Sequence, residues 1–118
     1  MDSPQELASA MAADAVQIAQ EYFDVTLDFQ VESIEVVDTI LGELHAELVK
    51  NPEMEDVDEL ACCFGAYMGE CIRQAHPGAS WPAAMPEEGL GYLMVSWLGW
   101  ESPTFSWCHE RITEGDDH

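Results

Sequence analysis

Glu70 and Arg73 are the pair in this sequence best placed to do chemistry. Three residues apart on a helix, they share a face and can meet. They carry opposite charge within a run that is otherwise small and apolar. One reading makes Glu70 a base or a cation ligand, anchored by Arg73 in a pocket. The other makes them an ion pair that ties the helix to a neighbouring sheet or to a loop carbonyl. Residue type favours the second, because a planar and permanently charged guanidinium suits fixed bridging. The aromatic residues are the next candidate. Trp81, Trp97, Trp100 and Trp107 all fall in the last third of the chain, with Tyr92 among them. Gathered around acids, they would hold a cationic aromatic or amine ligand through cation–π contact. Dispersed, they would fill a small core. The ligand-binding set under the pocket reading is Tyr67, Glu70, Arg73, Trp81, Trp97, Trp100 and Trp107.

Other chemistries lack their residue patterns. Four cysteines and four histidines invite a metal, but zinc sites space their ligands in closely set pairs. Here Cys62, Cys63, Cys71 and His76 point in diverging directions along one helix, and Cys108 and His109 are neighbours on another. Asp56, Asp58 and Glu59 are acidic without the Asp-x-Asp-x-Asp-Gly frame of a calcium loop. There is no Gly-x-Ser-x-Gly elbow, and nothing near the cysteines identifies an activated thiol. Gly65 and Gly69 fall mid-helix, and Gly89-Leu90-Gly91 has no phosphate-binding motif around it. The expectation is no catalytic residue, no metal and no cofactor. Adjacent Cys62 and Cys63 do not suit a disulfide framework, so the cysteines are expected to be reduced and packing, in a cytoplasm.

Charge narrows the partners. Twenty-four acids face three bases, Lys50, Arg73 and Arg111, for a formal net charge of −21. Nucleic-acid binding needs Lys and Arg to displace condensed counterions, and an anionic membrane surface would repel the chain for the same reason. Neither is an expected partner. Met1-Asp2-Ser3-Pro4 lacks the basic and apolar regions of a signal peptide, and the apolar stretch from Leu90 to Trp100 is too short to span a bilayer. Three readings of the acidity remain: a surface suited to salty surroundings, complementarity to a basic protein, or attraction of small cations. The leading functional expectation is a non-catalytic interaction domain that restrains a basic partner, as immunity and inhibitor proteins do. The rival is a small-molecule binder with an aromatic, acidic pocket for a cationic ligand. An enzyme using Glu70 as its base comes third.

The elements that would position these residues can be read from periodicity. Ser3-Pro4-Gln5-Glu6 is a capping box with proline at the first helical position, opening a helix over 4–22. Its stripe is Leu7, Met11, Ile18 and Tyr22, widened by alanines. Residues 24–29 are a connector or a brief strand. A second helix over 31–49 carries a seam of Ile34, Val37, Leu41, Leu44 and Leu48. Asp56-Val57-Asp58-Glu59 suggests another capping box, opening a helix over 56–76 that is apolar or small nearly all round and so forms the buried centre. Gly65 and Gly69 would let a neighbour approach closely. Ala79 to Trp81 suggests a short strand, Tyr92 to Leu98 a better one. Ser102-Pro103 opens a last helix over 103–113, ending at Gly115.

Ser33-Ile34-Glu35-Val36-Val37-Asp38, the run Phe64-Gly65-Ala66-Tyr67-Met68-Gly69-Glu70-Cys71-Ile72-Arg73, and the following Trp81 resemble a loosely defined group of small bacterial proteins. The resemblance covers about residues 27 to 112, and its most specific part is the Gly-Glu-x-x-Arg segment. It implies a helical pair, a Gly-Ala-Tyr-x-Gly-Glu-x-Ile-Arg helix, a Trp-bearing strand and a small sheet. The group brings no settled activity with it. The fold class expected is α+β, one domain over residues 1–118, with three N-terminal helices on a small antiparallel sheet of two or three strands and a C-terminal helix. An unpaired edge on so small a sheet would permit a homodimer.

Overall fold

Ser3 opens the first helix, its hydroxyl accepting a hydrogen bond from the Glu6 backbone N–H at 3.2 Å. Pro4 follows at the first helical position, where a missing N–H costs nothing. This helix, α1, runs Pro4–Phe23 and closes at Asp24 in a left-handed conformation, φ 54°. Helix α2 spans Ser33–Lys50 and α3 spans Val57–Ala75; the hairpin strands β1 (Val95–Trp97) and β2 (Trp100–Ser102) follow, then α4, Thr104–Glu114. The computed structural model describes residues 3–89 and 92–115. Leu90 and Gly91 of the expected apolar stretch lie outside the described residues, as do Met1, Asp2 and residues 116–118. Three N-terminal helices, a two-stranded antiparallel sheet and a C-terminal helix make the α+β arrangement expected.

Helix α3 is the centre. Residues on nearly all its faces are buried, among them Cys63, Phe64, Ala66, Tyr67, Glu70 and Cys71. Helix α1 packs along one side of it and α4 along another, while α2 packs mainly on α4. Small residues set these separations. A Cβ on Gly65 would sit 2.7 Å from the Phe105 Cα of α4, and one on Gly69 would run into the Trp81 indole. Helix α2 buries Val37, Ile40, Leu41 and Leu44; of the expected seam Val37, Leu41 and Leu44 are buried, Ile34 and Leu48 at its ends are only partly so, and Ile40 joins it.

Several local expectations change. The buried face of α1 is an alanine ridge, Ala8, Ala12, Ala15 and Ala19, because a methyl ridge lets two helices approach more closely than a bulky stripe does. The larger residues flank it, and Tyr22 is left 76% exposed. Helix α2 starts at Ser33, two residues later than expected. Asp56 does precede α3, but at φ −89° and ψ 8° its side chain makes no capping bond. Pro103, not Ser102, precedes α4, again without a side-chain cap.

The hairpin also differs. Strand β1 holds only Val95–Trp97, and the chain reverses through Leu98 and Gly99, at φ 51° and 83°. Positive φ at both positions is what a two-residue type I′ turn needs. Trp97 pairs with Trp100, and Val95 with Ser102. The expected strand at 79–81 reduces to one bridge, in which Ser80 and Ser96 exchange backbone bonds of 2.9 and 2.8 Å. Residues 24–29 form a connector without strand pairing. Among the described residues, no helix is long and apolar enough to cross a membrane.

Gly65→Ala tests the central contact. Helix propensity alone would add about 1 kcal/mol of stability, but the clash with Phe105 costs roughly 1–3 kcal/mol. The expected outcome in urea unfolding is a lower midpoint. A higher midpoint would show that α3 and α4 are not in contact at this position.

Candidate functional site

Glu70 is 3% exposed, and it sits where α1, α3 and the segment after α3 converge. Its carboxylate accepts from both arms of the Arg73 guanidinium, Nε at 2.7 Å and Nη2 at 3.0 Å. The Trp81 indole Nε1 donates to it at 2.8 Å. From α1, Ser9 Oγ donates at 3.1 Å and Gln5 Nε2 lies at 3.5 Å. A carboxylate offers about four lone-pair sites, and these donors occupy them. Burial would raise the pKa of this acid, but the bonds from Arg73, Trp81 and Ser9 and the Arg73 charge outweigh it and hold the carboxyl below the ordinary glutamate value. The geometry therefore joins two helices and a connecting segment. It leaves no lone pair free for a cation, and a low-pKa carboxylate is a poor general base.

Tyr67 stands on the same helix and does different work. Its hydroxyl accepts from the Phe29 backbone N–H at 2.8 Å and lies 2.6 Å from Ser33 Oγ. Ser33 Oγ in turn donates to the Gln30 carbonyl at 2.6 Å. With that proton committed, Tyr67 is the donor to Ser33, and one chain of bonds runs from Phe29 through Tyr67 and Ser33 to Gln30. It fixes the turn into α2, where Phe29 takes a φ of 63°. Burial pushes the Tyr67 phenol up to about 12, against the lowering effect of the bond donated by the Phe29 N–H.

The tryptophans do not form one cluster around the acid. Trp81 is buried, bonded to Glu70, with its ring centroid 5.9 Å from that of Phe105. Trp97 stacks on His76, centroids 4.0 Å apart. Trp100 is 78% exposed on the hairpin, and Trp107 is exposed on α4. Of the expected set, then, Glu70, Arg73 and Trp81 come together, Tyr67 serves the α2 turn, and Trp97, Trp100 and Trp107 go elsewhere. Ser9, Gln5 and Ser33 are not in the expected set. The visible signal was polar residues four apart on an alanine-rich helix, which gives a shared face but not what that face meets.

Thiols and grooves complete the inventory. All four cysteines are free. Burial, with nearby acids adding to it, pushes Cys63 up to about 11 and Cys108 up to about 12. Cys62 is also raised, by burial and then by Asp58 and Glu59. It lines a groove of about 460 Å³ between α3 and α4 with Tyr92, Phe105, Glu110 and an Asp58–His109 pair at 3.0 Å. A thiol held protonated in this way is not an activated nucleophile. A second groove of about 460 Å³ lies among Ile18, Tyr22, Phe23, Leu44 and Leu60, with Asp56 and Glu59 on its lining. Among the described residues no cluster of His, Cys, Asp and Glu is set to hold a metal.

Comparison with protein-family models, with curated proteins and with solved structures gave no match.

Two substitutions separate the structural role of Glu70 from any other. Glu70→Ala leaves the buried Trp81 N–H unpaired, at a cost of about 2 kcal/mol or more. Glu70→Gln keeps the shape and removes the charge. Because the folded pKa is depressed, the stability the charge contributes is full above the ordinary value of about 4.3 and is lost as pH falls below it. The margin of the wild type over Glu70→Gln in urea unfolding should therefore shrink with acidification. A margin unchanged with pH would contradict the assignment.

Proposed function

We propose that this chain is a non-catalytic protein-interaction domain whose acidic exterior engages a basic protein, in the manner of an immunity or inhibitor protein. The supporting observation is how the charges are sorted. The described residues include 21 of the 24 acids (all but Asp2, Asp116 and Asp117), and 20 of those are exposed, Glu70 alone being buried. The cations are drawn the other way. Arg73 is committed to Glu70, and Arg111 Nε donates to Asp38 at 2.9 Å, holding α4 to α2 with its guanidinium against Gly42. Lys50, at the end of α2, is exposed.

A surface sorted in this way attracts a basic partner over several ångströms and repels acidic ones. Complementary charge of this kind raises association rates and sets specificity more than it deepens affinity. The non-catalytic part of the reading is supported by the filled coordination of Glu70 and by protonated thiols. A reducing cytoplasm is the compartment that suits four free cysteines.

Affinity capture with the tagged chain should retain a partner of high pI at low salt and release it as ionic strength rises past about 0.15 M, where the screening length falls to about 8 Å. The same self-repulsion should make the melting temperature of the free chain rise with salt. Salt-insensitive binding together with a flat melting temperature would overturn the reading. A thermal shift with small cationic aromatics, in the absence of any protein partner, would instead favour a small-molecule binder.

A further inference from the structure

We infer that the groove between the end of α1 and the start of α3 is the docking site for a basic amphipathic helix of that partner; this rests on the reading above. Ile18 and Tyr22 lie one turn apart on α1 and belong to the stripe that periodicity would assign to the core. The alanine ridge occupies the contact with α3 instead, so these two residues turn into the groove beside Phe23 and Leu60, with Leu44 beneath. An aromatic ring left 76% exposed next to four further apolar side chains is a surface that gains by being covered.

The rim states the chemistry of what covers it. Asp56 and Glu59 line the same groove. Their place at the start of α3 is favoured by the helix dipole, but Asp56 makes no capping bond, and the dipole gives no reason for the apolar residues beside it. An apolar floor with an acidic rim complements a helix that carries large aliphatic residues at every third and fourth position, flanked by Lys or Arg. A groove of about 460 Å³ is within the usual size of ligand sites. A second copy of this chain fits poorly, since a two-fold contact would set Asp56 and Glu59 against the same acids of the other copy.

The test uses the full chain and a synthetic Leu/Lys peptide of about four helical turns, with a scrambled peptide of the same composition. Binding is followed by calorimetry and by backbone NMR shifts. The periodic peptide is expected to bind at least about tenfold more tightly than the scrambled one and to shift Tyr22, Phe23 and Leu60. Tyr22→Ala, at an exposed position, should leave the melting temperature unchanged and weaken binding about tenfold. Asp56→Asn with Glu59→Gln should weaken it and flatten its salt dependence, and Trp100→Ala should do neither. Equal, salt-sensitive binding of both peptides, or shifts centred on Leu98 and Trp100, would overturn the groove while leaving the basic-partner reading standing. Failure of both peptides to bind at low salt would take down both. Self-association of the free chain abolished by Tyr22→Ala would assign the groove to a second copy, and so overturn the inference too.

Discussion

Glu70 carries a full negative charge into the middle of α3, and the surrounding chain is arranged to satisfy it. Taking a carboxylate out of water costs several kcal/mol unless charge and hydrogen bonds replace the lost solvation. Here the replacement comes from three directions. Arg73 supplies the charge from the same helix, Ser9 and Gln5 reach in from α1, and the Trp81 indole arrives from the segment after α3. Each donor fixes the position of the element it belongs to. Trp81 can reach the carboxylate only because Gly69 leaves room for its ring, and the same ring then packs near Phe105 of α4. The placement of α1, of the connecting segment and of α4 thus depends on one polar group. Replacing Glu70 and Arg73 together by apolar residues of similar volume need not unfold the chain, but it removes what orients these elements together.

The same interaction explains the outside of the molecule. With Arg73 held by Glu70 and Arg111 bonded to Asp38, two of the three cations in the sequence serve to hold the structure together. Of the 21 described acids, 20 are exposed to water. Such a surface resists close approach of its own copies and of other polyanions, and under the proposed function the apolar groove by Tyr22 is where attraction of a basic partner would be converted into contact. Charge brings a partner near, and burial of apolar surface holds it.

Much of this was legible from residue type and spacing. Ser3 and Pro4 marked the first helix. The lack of any strongly polar face marked α3 as central, and its two glycines marked close approach. The pairing of Glu70 with Arg73, and its structural character, followed from their spacing and chemistry. What was not legible depended on distance in the sequence or on competition between faces. The donors Ser9 and Gln5 are 61 and 65 residues from Glu70, and no local pattern links them. On α1, a stripe of large residues and a ridge of alanines were both periodic, and periodicity does not say which a neighbour will prefer. The hairpin turn is Leu98-Gly99, where Asn-Gly would have announced it. The tryptophans fall on four separate pieces of chain, the segment after α3, the two hairpin strands and α4, so their spacing carried no information on whether they would meet.

The most direct test of this account is the ionisation of Glu70 itself, followed by carbon NMR of its side-chain carboxyl from neutral to acid pH, with the Trp81 indole N–H observed in the same samples. The account predicts that the carboxyl titrates below the ordinary glutamate value. The indole proton should exchange slowly with solvent until it does, and then lose its protection. A carboxyl that titrates at or above the ordinary value, beside an indole proton that exchanges freely at neutral pH, would contradict it.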